Sequence, residues 1–172
     1  MSPRVWRLAC WAAGIALVAA GRAAAQEDEA GISLGLTPSP AVVQTLDGKP
    51  VDLSRVVGTK PALIEFWATW CPRCRALEPR LRAAEARYGA RVQFIAVAVA
   101  VNETVASVRR HLAEHPAPYP FVWDAQGAAV RAFQAPTTSY IVLLGRDGRV
   151  AYTGVGPEQD FEAALNRIAA AP

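Results

Sequence analysis

Leu63-Ile64-Glu65-Phe66-Trp67-Ala68-Thr69-Trp70 runs directly into Cys71-Pro72-Arg73-Cys74, and this stretch limits what the chain can fold into more than any other. An apolar, β-prone run ends at a Cys-x-x-Cys pair that opens a helical pattern. Two cysteines so spaced can form a reversible disulfide, bind a metal or staple a turn. Pro72 suits the first position of a helix, where a missing N–H leaves no bond unmade. Cys71 is then the N-cap, at the positive end of the helix dipole, where a thiolate is favoured over a thiol.

From Cys74 the apolar positions run Leu77, Leu81, Ala84 and Tyr88, spaced three or four apart as one face of a helix. The pattern turns Cys74 into the core and leaves Cys71 at an exposed tip, with Arg73 and Arg75 adding positive charge. One activated, accessible thiol backed by a shielded partner is the asymmetry a dithiol catalyst needs. The cysteine count agrees: Cys10 falls in an N-terminal leader, so the mature chain carries Cys71 and Cys74 alone. A structural zinc site usually wants four Cys or His ligands, and no second pair exists. A purely structural disulfide across three residues closes too small a loop to stabilise much.

Glu65 to Cys74 strongly resembles the active-site stretch of thioredoxin-fold proteins. The Trp67-Ala68-Thr69-Trp70-Cys71-x-x-Cys74 form is most similar to exported TlpA/ResA-like thiol–disulfide oxidoreductases. The resemblance implies that Cys71 is the nucleophile and Cys74 the resolving thiol, with Pro72 and Arg73 helping to set the potential. It also implies that Glu65 assists proton transfer at Cys74. A charge inside a central strand calls for such a role or a partner; the alternative is that alternation turns Glu65 outward on an edge. Ala135-Pro136-Thr137-Thr138 matches the place where these folds carry a cis-proline facing the dithiol, which makes Pro136 and the backbone of Ala135 substrate-binding candidates. Trp70 is expected as an exposed wall of the site and Trp67 beneath it. Two departures stand out. The run from Pro136 to the Asp147-Gly148 turn is a few residues longer than usual. The glutamate that some ResA-like reductases carry three residues after the second cysteine is Leu77 here, and Glu78 is expected to face elsewhere.

The implied activity is exchange of the Cys71–Cys74 dithiol with partner-protein disulfides, most directly as a reductase of the cytochrome c maturation type, with a membrane or periplasmic electron donor and no cofactor besides the disulfide. Alternatives are an oxidase or isomerase of the same fold, a Cu(I)-handling module using both thiolates, and a peroxidase-like member of the superfamily. No metal is expected. The haem attachment pattern Cys-x-x-Cys-His is not met, because Arg75 follows Cys74.

The first 25 residues look like an export signal: Arg4 and Arg7, a largely apolar run from Leu8 to Ala20, and Ala23-Ala24-Ala25 as a cleavage site. That run is short against the roughly 20 residues of a membrane span; an uncleaved inner-membrane tether is the alternative to a periplasmic protein. Cleavage removes Arg4, Arg7 and Arg22 and no acid, so the formal charge of +3 falls to zero. The basic excess belongs to the leader and does not point to nucleic acid.

Residues 26–36 are expected as a flexible lead-in and 37–172 as one domain. A hairpin is expected from Ala41–Leu46 and Pro50–Leu53 around Asp47-Gly48, then a turn of helix to Val57, a strand Ala62–Trp67, and the cysteine helix to Tyr88, interrupted at Pro79. A strand within Arg91–Val101 is expected next; the Val101-Asn102-Glu103 insert after it, a helix to about His115 and the stretch Pro118–Asp124, with a short strand Phe121–Trp123, resemble the central insertion of the TlpA/ResA-like group. His111 and His115 are expected to face solvent. A strand Ser139–Leu144, a second hairpin strand Arg149–Thr153 and a closing helix Glu158–Ala170 complete an α/β, thioredoxin-like fold. It has a central mixed sheet flanked by helices, an N-terminal β-hairpin and a central insertion.

Overall fold

The computed structural model describes residues 31–171. The expected signal segment and its cleavage site lie outside these residues. None of the described helices is long and apolar enough to cross a membrane.

β1 (Val42–Thr45) and β2 (Pro50–Asp52) form the expected hairpin, with Gly48 at φ +82° in its turn, and α1 (Leu53–Val57) follows. Asp52 caps α1 by accepting the Ser54 N–H at 2.9 Å. β3 (Ala62–Trp67), α2 (Pro72–Tyr88) and β4 (Gln93–Val99) make a parallel βαβ unit. α3 (Val105–Glu114) and β5 (Phe121–Asp124) extend it, β5 lying parallel to β4. After α4 (Ala128–Ala132), β6 (Tyr140–Leu144) runs antiparallel to β3, β7 (Val150–Val155) pairs with β6, and α5 (Phe161–Ala170) ends the fold.

The seven strands form one sheet in the order β2-β1-β5-β4-β3-β6-β7, so the N-terminal hairpin joins the sheet through β5. β3 lies between two full-length neighbours and is buried along its whole length. One apolar cluster gathers Leu77, Leu81, Ala84 and Tyr88 of α2 with Phe161, Leu165 and Ile168 of α5 against Leu63, Phe94, Ile141 and Leu143 of the sheet. A second gathers Ile64, Phe66, Val97, Val142, Ala129 and Phe133, and it includes both cysteines. The spaced apolar face of α2 is therefore its buried face, and the helix continues unbroken through Pro79.

Two local expectations change. The lead-in enters the described residues already packed: Ile32 is buried, its N–H donates to the Phe133 carbonyl, and Gly35 and Leu36 bond Val150. Gly31, at φ +96°, lies so close to the Tyr140 ring that an added Cβ would fall 2.1 Å from the hydroxyl oxygen. The strand expected from Ser139 begins at Tyr140. Ser139 takes a left-handed φ of +58° and donates its N–H to the Phe66 carbonyl, so the strand starts one residue later than expected.

Candidate active site

The cysteine pair sits where β3 ends and α2 begins, at the carboxyl edge of parallel strands, the usual place for a site in an open α/β sheet. Pro72 occupies the first turn and Cys71 is the N-cap with extended backbone. Its Sγ accepts the N–H of Cys74 at 3.0 Å. A backbone donor and the helix dipole together favour negative charge on this sulfur. Cys71 and Cys74 are joined as a disulfide, with Cα atoms 5.3 Å apart.

The expected exposed tip is corrected here. Cys71 is 2% exposed and Cys74 1%, and Cys71 belongs to the same apolar cluster as Trp67, Ala68 and Phe133. Bonding to Cys74 folds the Cys71 sulfur back over the helix end instead of leaving it projecting. The arginines stay outside. Arg75 Nη1 donates to the Thr69 carbonyl at 3.2 Å, and Arg73 rests against Gly156, where an added Cβ would fall 2.3 Å from Nη2.

Beginning at Trp70, the residue before Cys71, an uncharged groove of about 210 Å³ is lined by Trp70, Val99, Val101, Val130 and Ala135–Thr138. Trp70 and Pro136, 66 residues apart in sequence, thus share one wall system. Trp70 is 44% exposed, and its indole N–H donates to the Val101 carbonyl at 2.8 Å. The peptide bond before Pro136 is trans, as are all those described, which departs from the cis-proline of the family pattern. Glu103, which sequence reading passed over, holds the loop from below. Its Oε2 accepts the Thr69 N–H at 2.6 Å, and its Oε1 bonds the Ser107 hydroxyl. Burial pushes the Glu103 carboxyl up, but hydrogen bonds from Ser107, Thr69 and Thr104 outweigh it and hold the group below the ordinary glutamate range. The segment Val101-Asn102-Glu103 that opens the insertion therefore fastens the two residues immediately before Cys71.

Behind Cys74 lies a second, much smaller cavity, lined by Glu65, Trp67, Cys74, Glu78 and His111 among others. Glu65 is buried at the centre of the sheet, which removes the edge reading. Burial, with a smaller contribution from the nearby Glu78, raises its pKa from the ordinary 4.5 to about 8. Its Oε1 has no hydrogen-bond partner among the described residues. Trp67 is buried beneath, edge-on to Phe121 at 5.2 Å and packed on the His111 ring at 5.1 Å.

Two expectations fail at this cavity. Glu78 faces it rather than elsewhere: Cys74 and Glu78 are four residues apart, one turn along the same helix face, and that spacing was the available signal. His111 is not solvent-facing but half-buried against Trp67, while His115, one turn on, is exposed. The sequence carried no sign of which structure α3 would lie against. Among the described residues no group of three or more Cys, His, Asp or Glu side chains is arranged to hold a metal ion.

The geometry has counterparts in known proteins. The "Thioredoxin-like protein" of Haemophilus influenzae is 32% identical over 104 residues, 60% of this chain and 60% of that one. The "Thiol-disulfide oxidoreductase ResA" of Halalkalibacterium halodurans is 26% identical over 129 residues, 74% of this chain and 72% of its own. This chain thus spans less than two thirds of the first relative's length. A secreted Mycobacterium tuberculosis disulfide oxidoreductase, described as homologous to DsbE of E. coli, superposes with a TM-score of 0.61. The two are 25% identical, and the superposition covers 76% of this chain and 95% of that one. The family model described as Redoxin matches residues 36–168, nearly the whole described domain, and the chain belongs to the redoxin family.

Proposed function

We propose that this protein is an exported thiol–disulfide oxidoreductase working as a reductase of partner-protein disulfides. The observation that carries this reading is the Cys71–Cys74 disulfide at the N-terminus of α2, with the Cys74 N–H directed at the Cys71 sulfur. In the reduced protein that donor and the helix dipole favour a Cys71 thiolate. The thiolate attacks one sulfur of a partner disulfide, forming a mixed disulfide and releasing the other partner sulfur as a thiolate. Cys74 passes its proton to Glu65, attacks the Cys71 sulfur and expels the second partner thiolate. Two electrons have moved from the dithiol to the partner, and an external donor restores the dithiol. A Glu65 pKa near 8 suits it to exchange protons around neutral pH.

The uncharged groove beginning at Trp70 supports a protein partner whose cysteine is flanked by apolar residues, with Trp70, Pro136 and the Ala135 backbone as its contacts. The TlpA/ResA-like resemblance of the motif supports reduction over oxidation, with apocytochrome c cysteines as the substrate class. The leader-like first 25 residues and the secreted mycobacterial neighbour support export. Cys74→Ser should trap the partner covalently through Cys71; a trap that instead needs Cys74 overturns the nucleophile assignment. A reduction potential near thioredoxin's, about −270 mV, supports a reductase, and one near about −120 mV makes it an oxidase.

A further inference from the structure

The small cavity behind Cys74 draws titratable groups from four parts of the fold: Glu65 on β3, Glu78 on α2, His111 and His115 on α3, and Tyr119 before β5. They grade outward. Glu65 is sealed in the sheet, Glu78 and His111 are half-buried, and His115 is exposed. The space between them is about 10 Å³, near the lower limit for a single water molecule. A proton that Cys74 hands to Glu65 has no direct route to solvent, since Glu65 is 2% exposed on the central strand of the sheet. With a pKa near 8, Glu65 is mostly protonated at neutral pH, so it must pass a proton outward before it can take up the one on Cys74. We propose that His111, seated against Trp67, is the outlet that carries this proton to solvent, with Glu78 and His115 along its path. The proposal rests on the thiol–disulfide reading and extends it to a residue of the insertion helix.

The surroundings suit the role. Burial and the neighbouring His115 hold His111 below the ordinary histidine range, against the opposing pull of Glu78, Glu114 and Glu103. It therefore stands neutral near pH 7, able to accept a proton and release it. Glu78 faces both Glu65 and His111, and is itself paired with Arg82 at 2.7 Å. Tyr119 cannot substitute: burial, then Glu65 and Glu78, with a further push from Glu85 against the pull of Arg82, drive its hydroxyl well above the ordinary tyrosine range. In each turnover the Cys74 proton passes to the Glu65 carboxylate, from Glu65 to the His111 imidazole, directly or through one water or Glu78, and from the imidazolium to solvent. His111 is thus a positioning residue that acts through Glu65 and does not touch the reacting sulfurs.

The test uses the full chain carrying Cys10→Ser, so that Cys71 and Cys74 are its only thiols, reduced and mixed with Ellman's reagent. Cys71 takes up one thionitrobenzoate, and attack by Cys74 then releases it, so the two coloured bursts separate nucleophilic attack from resolution. His111→Phe preserves a ring against Trp67 without a proton site. It should leave the first burst unchanged, slow the second by roughly tenfold or more at neutral pH, and alter the pH profile of the second burst alone. His111→Ala should show the same defect, relieved by added imidazole in proportion to its concentration. In a Glu65→Gln background the His111 substitutions should have no further effect. A second burst within about twofold of the Cys10→Ser parent across the pH range in His111→Phe, or a His111→Ala defect that imidazole does not relieve, overturns the outlet. A Cys10→Ser parent with no second burst overturns the thiol–disulfide reading itself.

Discussion

Glu65 offers a stability measurement whose sign and size follow from where it sits. Its pKa rises from about 4.5 in an unfolded chain to about 8 in the folded protein, chiefly because the sheet strips water from the carboxylate. Between those values the folded protein keeps a proton that the unfolded chain has released. Unfolding then releases a proton, and rising pH favours it. The stability tied to the neutral acid is fully present below about pH 4.5 and declines as pH rises through about 8. At 1.36 kcal/mol for each pH unit separating the two values, the full loss is about 5 kcal/mol. Glu65→Gln keeps the shape and is neutral throughout. It should therefore match wild type near pH 5, gain on it by roughly 1.4 kcal/mol per pH unit up to about pH 8, and level off above. Urea unfolding of the oxidised protein from pH 5 to 9 measures this, since the cysteines do not titrate when joined. Taking the difference between the two proteins removes the contributions of other groups, apart from those coupled to Glu65 such as Glu78 and Tyr119. A difference that stays flat from pH 5 to 9 would show a hydrated Glu65 carboxylate and refute the reasoning.

Other perturbations test the frame around the site. Ile32→Ala should cost about 2–5 kcal/mol in urea unfolding, because Ile32 is 2% exposed and belongs to the cluster that includes both cysteines; a loss under about 0.5 kcal/mol would mean that the segment is not part of the folded unit. Glu103→Ala removes the acceptor of the Thr69 N–H and should destabilise by about 1.5–3 kcal/mol, with Glu103→Gln retaining part of this, as read from the same unfolding curves. Trp70→Ala should slow exchange with a disulfide-bonded peptide while leaving exchange with oxidised glutathione nearly unchanged, because the indole lines the groove an extended partner would occupy; equal slowing of both would place Trp70 in the chemistry of the sulfurs instead.

Much of the fold was legible because its signals are local. Ala62–Trp67 could be read to the residue as a strand, since a β-prone run, apolar but for Glu65, ends shortly before Pro72 permits a helix to begin. The three- and four-residue spacing from Cys74 to Tyr88 marked the face of α2 that is in fact buried. Asp47-Gly48 and Asp147-Gly148 marked turns, because each demands a left-handed glycine and has one. Cys71, Cys74, Glu65, Trp70 and Pro136 were all marked as site residues; the fold places Glu65 and Cys74 at one small cavity and Trp70 and Pro136 along a separate groove.

What could not be read depends on which surface each residue meets. Four-residue spacing says that His111 and His115 share a face of α3, but only the docking of α3 beside Trp67 makes one of them half-buried and leaves the other exposed. The same holds for Glu78: its place one turn below Cys74 is a property of the helix, while its neighbours Glu65 and His111 come from β3 and α3. Ile32 lies in a segment without periodicity, and its burial is decided by Phe133 and Tyr140, about a hundred residues away. The sequence by itself determined the strand, the capped helix and the dithiol at their junction, because backbone sterics and hydrophobic periodicity act over a few residues. Only the tertiary structure decided the burial of Cys71, the groove between Trp70 and Pro136 and the cavity behind Cys74. Desolvation and electrostatic coupling depend on groups brought together across the sheet, whatever their separation along the chain.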